Sequence, residues 1–132
     1  MEDIKITDEI IGDGIIFIYL TDNIGRCELG NCEWFINYLN HMYDISIDFS
    51  GKILYFHYLR IVDKYQCCGY GSMLMNRLIK ILDERRSGVI VELSPYDGSE
   101  KFEDLVRFYK RFGFEFVDEK LNNLMFRYPT TS

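Results

Sequence analysis

The stretch from Ile53 to Arg86 constrains this chain most: ILYFHYLRIVDKY, then QCCGYGS, then MLMNRLIKILDERR. Its first part is an apolar run of β-branched and aromatic residues, which reads as a strand from Ile53 to about Val62. The loop that follows carries two glycines two positions apart. Leu74, Leu78, Ile81 and Leu82, flanked by Met75 and Ile79, then recur at helical spacing, with Asn76, Arg77, Lys80 and Asp83 facing out. The helix ends before Gly88, and GVIVEL (88–93) is another buried strand. Strand, helix and strand in this order make a β-α-β unit, with parallel strands and a right-handed crossover. Because the loop opens directly into a helix, its amides point along the axis with partial positive charge. Residues Gln66 to Ser72 can therefore cradle a phosphate group without a cation.

The flanks supply the rest of one domain, which is all that 132 residues accommodate. IIFIYL (15–20) reads as a strand, and IKI (4–6) as a short one. TDNIGRCELGN (21–31) is rich in turn residues and reads as a loop. From Cys32 to Tyr43 the positions Trp34, Phe35, Tyr38, Leu39 and Met42 fit a helix packed on a sheet, with Asn31 as its cap. ISIDF (45–49), a turn at Ser50-Gly51-Lys52 and the strand from Ile53 suggest an antiparallel hairpin. In that second strand Ile53, Tyr55, His57, Leu59 and Ile61 share one face, and Leu54, Phe56, Tyr58, Arg60 and Val62 the other. Both faces are mainly apolar, which predicts a central strand covered on two sides. After a loop at 94–101, Phe102, Leu105, Val106, Tyr109 and Phe112 form a helical stripe that Gly113 ends. FEFVDE and NLMFRY close the chain as a hairpin around Leu121-Asn122-Asn123.

Charge and cysteine usage narrow the partners. Twenty-one acidic against fifteen basic residues give a net charge of −6, which argues against a nucleic-acid backbone and suits a cationic partner such as an amine. The acidic start and the lack of a long apolar run predict a cytoplasmic protein with no membrane partner. Without an export signal, Cys27, Cys32, Cys67 and Cys68 read as free thiols rather than disulfides. Their spacing is also poor for zinc, so no metal is expected.

Two nucleotide motifs fail on inspection. The loop has no GKS or GKT, and a GxGxxG fingerprint would need glycine where the chain has Leu74. Glu92 stands at about the right distance to hold a ribose hydroxyl, which keeps a mononucleotide-binding domain as a lesser alternative. What Gln66-Cys67-Cys68-Gly69-Tyr70-Gly71 resembles is motif A of the GCN5-related N-acetyltransferases: Gln or Arg, two residues, Gly, one residue, Gly or Ala. The likeness includes the preceding strand Leu59-Arg60-Ile61-Val62 and resumes at Leu105-Val106-Arg107-Phe108-Tyr109-Lys110-Arg111-Phe112-Gly113-Phe114, covering about 53–119.

The resemblance implies an α/β fold with a mixed central sheet flanked by helices, and two splayed parallel strands that form an acetyl-CoA cleft. It implies main-chain pairing of the pantetheine arm near Leu59 and Ile61. Amides from Cys67 through Ser72 would hold the pyrophosphate, with Gln66 opening the motif. Tyr109 matches the tyrosine that protonates the leaving CoA thiolate. For the base, Glu92 is a candidate, directly or through water, with His57 a lesser one and Arg60 a possible electrostatic contributor. Many relatives have Gly and Lys or Arg where this chain has Cys67 and Cys68, so its loop leans more on amides. The acceptor expected is a primary amine on a protein, a polyamine or a small molecule, and the enzyme a monomer or homodimer. A catalytically silent acyl-CoA-binding module is the alternative from another class.

Overall fold

The computed structural model describes residues 4–12, 14–66, 68–93 and 102–130. Seven strands form one sheet: β1 (Ile6–Ile11), β2 (Ile15–Leu20), β3 (Gly25–Asn31), β4 (Ile53–Ile61), β5 (Gly88–Glu92), β6 (Glu115–Asp118) and β7 (Leu121–Arg127). Three helices flank it: α1 (Glu33–Tyr43), α2 (Tyr70–Glu84) and α3 (Phe102–Arg111). The spatial order is β1-β2-β3-β4-β5-β7-β6. Only β4 and β5 pair in parallel; every other pairing is antiparallel. No helix among the described residues is long and apolar enough to cross a membrane.

Each face of the sheet has its own core. On one face Leu74, Met75, Leu78 and Leu82 of α2 and Tyr109 of α3 pack on Ile16, Ile18, Leu29, Leu54 and Phe56. On the other, Phe35 and Leu39 of α1 pack with Ile45, Ile90, Leu124 and Phe126. In β2 the residues Ile16, Ile18 and Leu20 are buried and their neighbours half-buried, the pattern of a strand pressed mainly on one side.

Several sequence expectations need correction. The segment expected as a loop at 21–31 is a short 3-10 turn (Thr21–Asn23) followed by β3, a strand that pairs with both β2 and β4. Its glycines punctuate nothing; they make room. A Cβ at Gly25 would lie 2.5 Å from Cδ1 of Ile61, and one at Gly30 would lie 2.5 Å from Nε2 of His57. Cys27 lies fully buried between them, a free thiol whose pKa burial pushes up to about 12, as burial also does for Cys32.

Residues 45–49 are not a strand, so the expected hairpin with β4 does not exist. At Leu54 and Tyr55, β4 already has β3 on one side and β5 on the other. Ile45 is buried and Ile47 and Phe49 are half-buried in the α1-side core. The alternating side chains serve packing without a ladder. IKI at 4–6 contributes only its last residue to β1, which runs on to Ile11. The residue at the cap position of α1 is Cys32, with no side-chain cap, while Asn31 ends β3. The closing turn falls at Glu119-Lys120, since Asp118 already faces Leu121, so Leu121, Asn122 and Asn123 belong to β7. The 94–101 loop lies outside the described residues.

The two-face reading of β4 holds only for its first half. Glu28 faces Tyr58 and Leu29 faces Phe56, so His57 is an extra residue without an opposite number. Such a bulge flips the alternation. Leu54 and Phe56 face the α2-side core before it, and Leu59 and Ile61 pack against the same core after it. Past the bulge His57 and Arg60 are exposed, so the distal half is not covered on both sides.

Asp83, expected to face out, instead anchors the chain end. Arg127, 4% exposed, donates from Nε to the Phe112 carbonyl at 2.7 Å and from Nη1 and Nη2 to the Asp83 carboxylate at 2.8 and 3.2 Å. Thr130 adds its amide and hydroxyl at 2.9 and 3.0 Å. Desolvation would raise the Asp83 pKa, but these hydrogen bonds and the guanidinium charge outweigh it and hold it below its usual value. A depressed native pKa stabilises the fold above the unfolded-state value of ~3.9, and that contribution is lost as pH falls through the native pKa. Asp83→Asn is expected to cost about 2 kcal/mol near neutral pH, less than a fully buried pair because the carboxylate keeps some water. In urea titrations the deficit against wild type should shrink below pH ~3.9; a deficit independent of pH would show that the carboxylate charge is not what matters.

Candidate active site

The site begins where the parallel pair stops. β4 and β5 are in register at Ile53 and Gly88, Leu54 and Val89, and Tyr55 and Ile90, and at no later position. Among the described residues β4 continues to Ile61 paired with β3 alone, so no described strand covers its other edge from Phe56 onward. The Val62 amide donates to the Ile24 carbonyl on the β3 side at 2.8 Å. Backbone groups alternate in direction along a strand, so those of Leu59 and Ile61 face the open side. A ligand with amide groups can pair there as an added strand, mainly at Leu59 and the Ile61 amide, since the Ile61 carbonyl already accepts from the Gln66 side chain.

At the far end of that edge lies the glycine loop. Gly69, at φ +83°, occupies the cap position of α2 in a left-handed conformation that favours glycine, and no side chain caps the helix. The first bond of the helix runs from the Met73 amide to the Gly69 carbonyl at 3.1 Å. The amides of Tyr70, Gly71 and Ser72 precede it, as at any helix start, and point outward. Gly71 differs from Gly69, because a Cβ there would meet Phe108 at 3.7 Å and Leu59 at 3.8 Å, which is ordinary contact. The protein itself does not require glycine at 71.

Gln66 folds back, its Nε2 donating to the Ile61 carbonyl and to Asp63 Oδ1, both at 3.3 Å. Its side chain thus ties the loop to the strand end instead of reaching outward. Cys68 is exposed and donates weakly to the Gln66 carbonyl at 3.7 Å, while Cys67 lies outside the described residues. The Tyr70 ring meets Tyr65 edge-on at 6.1 Å, and the Lys64 ammonium sits 5.1 Å from the Tyr65 ring centre. A cation therefore stands beside the loop, contributed from before the motif rather than from within it.

Tyr109 and Glu92 fall on opposite faces of the sheet. Tyr109 is 8% exposed in the α2-side core, its ring edge-on to Phe56, Phe108 and Phe114 at 5.8, 5.4 and 5.1 Å. Phe108 next to it reaches Gly71, so α3 and the start of α2 converge. Glu92 is exposed at the end of β5, on the α1 side, and accepts a 2.5 Å hydrogen bond from the Tyr55 hydroxyl. That bond bridges the strands just past their last pairing.

Tyr55 was missed in the sequence. A signal existed: in a parallel pair, Glu92 lies two residues beyond the partner of Tyr55, on the same face. Around Tyr55 stand Trp34 at 5.8 Å, Phe35 at 5.2 Å and His57 at 5.3 Å between ring centres. The Tyr38 hydroxyl is pushed above its usual pKa, first by a hydrogen bond with Tyr43 and its charge, then by slight burial and the charge of Glu92. The α1 stripe expected to pack on the sheet is thus divided: Phe35 and Leu39 are buried, while Trp34, Tyr38 and Met42 are exposed. Arg60 is exposed near the far end of β4, its guanidinium 5.8 Å from the Tyr58 ring centre. Among the described residues, no cluster of three His, Cys, Asp or Glu could hold a metal ion.

Comparison with known proteins agrees with this geometry. The structure is similar to a GNAT family acetyltransferase from Elizabethkingia anophelis solved with acetyl-CoA bound, at a TM-score of 0.61 and 11% identity over 97% of this chain and 99% of that one. It is also similar to the ribosomal-protein-S18-alanine N-acetyltransferase of Escherichia coli, at 0.58 and 13% over 92% and 74%. The KacTA protein solved in complex with DNA scores 0.58 at 19% identity over 89% and 70%. At these identities the likeness establishes the fold. No curated protein matches the sequence. The model of the acetyltransferase (GNAT) family matches residues 7–114, and with most of its length matched the chain belongs to that family.

Proposed function

We propose that this protein transfers the acetyl group of acetyl-CoA to a primary amine within the opening between β4 and β5. The observation that carries the reading is that opening itself. An unpaired backbone edge leads from an uncapped helix start to a gap with a tyrosine on one side and a carboxylate on the other. Acetyl-CoA supplies a thioester carbonyl as acetyl donor. Its pyrophosphate suits the amides from Cys68 through Ser72, and its pantetheine arm suits the edge at Leu59 and Ile61.

An alkyl amine with a pKa near 10.4 is protonated in all but roughly one molecule in a few thousand at pH 7. Glu92, open to solvent and held by Tyr55, takes that proton directly or through water and releases it to bulk. The neutral nitrogen then forms the new C–N bond while the C–S bond breaks, the nitrogen sheds its second proton to the Glu92 carboxylate or to solvent, and the tyrosine that protonates the leaving thiolate is reprotonated from solvent as the products leave. A thiolate with a reference pKa near 8.5 accepts a proton from a phenol near 10 when the two touch, which is the role given to Tyr109. Tyr55 acts through Glu92 and is a positioning residue. The acidic chain favours a cationic acceptor.

The test is thiol release from acetyl-CoA across a panel of amines. Tyr109→Phe is expected to lower kcat by about 10²-fold or more with little change in acetyl-CoA affinity, and full turnover would remove Tyr109 from the mechanism. Glu92→Gln should leave a residual rate that climbs with pH as the free amine deprotonates by itself; a profile shaped like wild type would show that the base lies elsewhere. Gly71→Ala should keep or slightly raise stability, by about 0.5 kcal/mol, because alanine is the better helix former. Its affinity for acetyl-CoA should fall about tenfold, equivalent to 1.4 kcal/mol; unchanged affinity would refute the placement of the phosphates. Binding of acetyl-CoA with no thiol release to any amine would mark a silent acyl-CoA-binding module instead.

A further inference from the structure

Glu92 marks where an acceptor amine would be received, and the neighbouring surface bears on what carries it. On α1, Trp34, Tyr38 and Met42 are 60%, 44% and 63% exposed. Spaced four residues apart, they form one apolar stripe about 12 Å long. Its inner end belongs to the site, since Trp34 stands 5.8 Å from Tyr55 and Tyr38 feels the charge of Glu92. Met42 continues the stripe about two turns along the helix from Trp34. Contiguous apolar side chains of this size, left in water, mark a surface that something covers.

Charge indicates what covers it. Residues 27–51, which contain the whole of α1, include Glu28, Glu33, Asp44 and Asp48 and not one of the fifteen Lys and Arg residues of the chain. Glu33 and Asp44 flank the helix and are exposed. An apolar stripe within an acidic field is complementary to a chain that alternates methylene stems with positive heads. A lysine stem suits the rings of Trp34 and Tyr38, which can also attract its ammonium.

We infer that the acceptor is a lysine side chain on a basic polypeptide segment, laid along Trp34, Tyr38 and Met42 with the reactive nitrogen at Glu92. This rests on the acetyltransferase reading and specifies its substrate class. The experiment uses peptides with blocked N-termini and one lysine each, flanked by arginines or by glutamates, against butylamine and spermidine. Thiol release and product mass are measured for each. The arginine-flanked peptide should give the highest kcat/KM. Met42→Lys should lower that value about tenfold through KM, and far more than it affects butylamine. The inference is overturned if butylamine or spermidine matches the peptide, if the glutamate-flanked peptide is preferred, or if Met42→Lys acts equally on all substrates. Release to no amine at all, with acetyl-CoA still bound, would overturn the transferase reading itself, a result distinct from activity confined to small amines.

Discussion

The molecule depends on a parallel contact only three residues long. Had β4 and β5 paired along their full lengths, the sheet would be closed and the backbone edge at Leu59 and Ile61 would be spent within it. Aromatic rings fill the space on both faces where the pairing ends. Phe56, Tyr109 and Phe114 pack edge to face on the α2 side, and Phe35 and Tyr55 on the α1 side. Such contacts are directional as well as apolar, so they fix the separation more firmly than aliphatic packing would. The Tyr55 to Glu92 hydrogen bond then spans the gap without closing it.

What could be read from the sequence follows from how local each signal is. β2, α2, β5 and α3 each bury a face whose period lies within the element, and β2, β5 and α3 were placed within a residue or two, while α2 starts three residues earlier than expected, at Tyr70 inside the glycine loop. β3 was hidden because Gly25 and Gly30 look like turn residues, while their purpose is to admit Ile61 and His57 from the next strand. The 45–49 segment misled in the opposite direction. Alternation shows that every second residue is buried, not that the backbone has a partner, and at Leu54 and Tyr55 both edges of β4 are already taken. The bulge at His57 could not be read locally either, since one inserted residue leaves composition untouched and reverses every face after it.

The same distinction runs through the site. Its cofactor side is built from main chain, and main-chain geometry leaves sequence marks: a glycine at positive φ, a second glycine two residues on, a helix directly after. The acceptor side is built from side chains brought together from α1, β4 and β5, whose meeting depends on tertiary packing. Glu92 could be named as a lone carboxylate, but not its link to Tyr55 or its company of Trp34 and Tyr38. Lys64 fell between the two, near the motif in sequence and useful only because the Asp63–Tyr65 turn brings it beside the loop.

Placing Glu92 and Tyr109 on opposite faces of the sheet has a chemical consequence for the proposed transfer. An acid and a base in contact exchange their proton with each other and do nothing for the substrate. Here the carboxylate is exposed on the α1 side and the phenol is buried among Phe56, Phe108 and Phe114 on the α2 side, with the strand opening between them. In the proposed transfer the nitrogen loses its proton toward solvent, and the sulfur gains one from a group that water reaches poorly. In that proposal the short pairing of β4 with β5 both admits the reactants and sets the two proton transfers on opposite faces of the sheet.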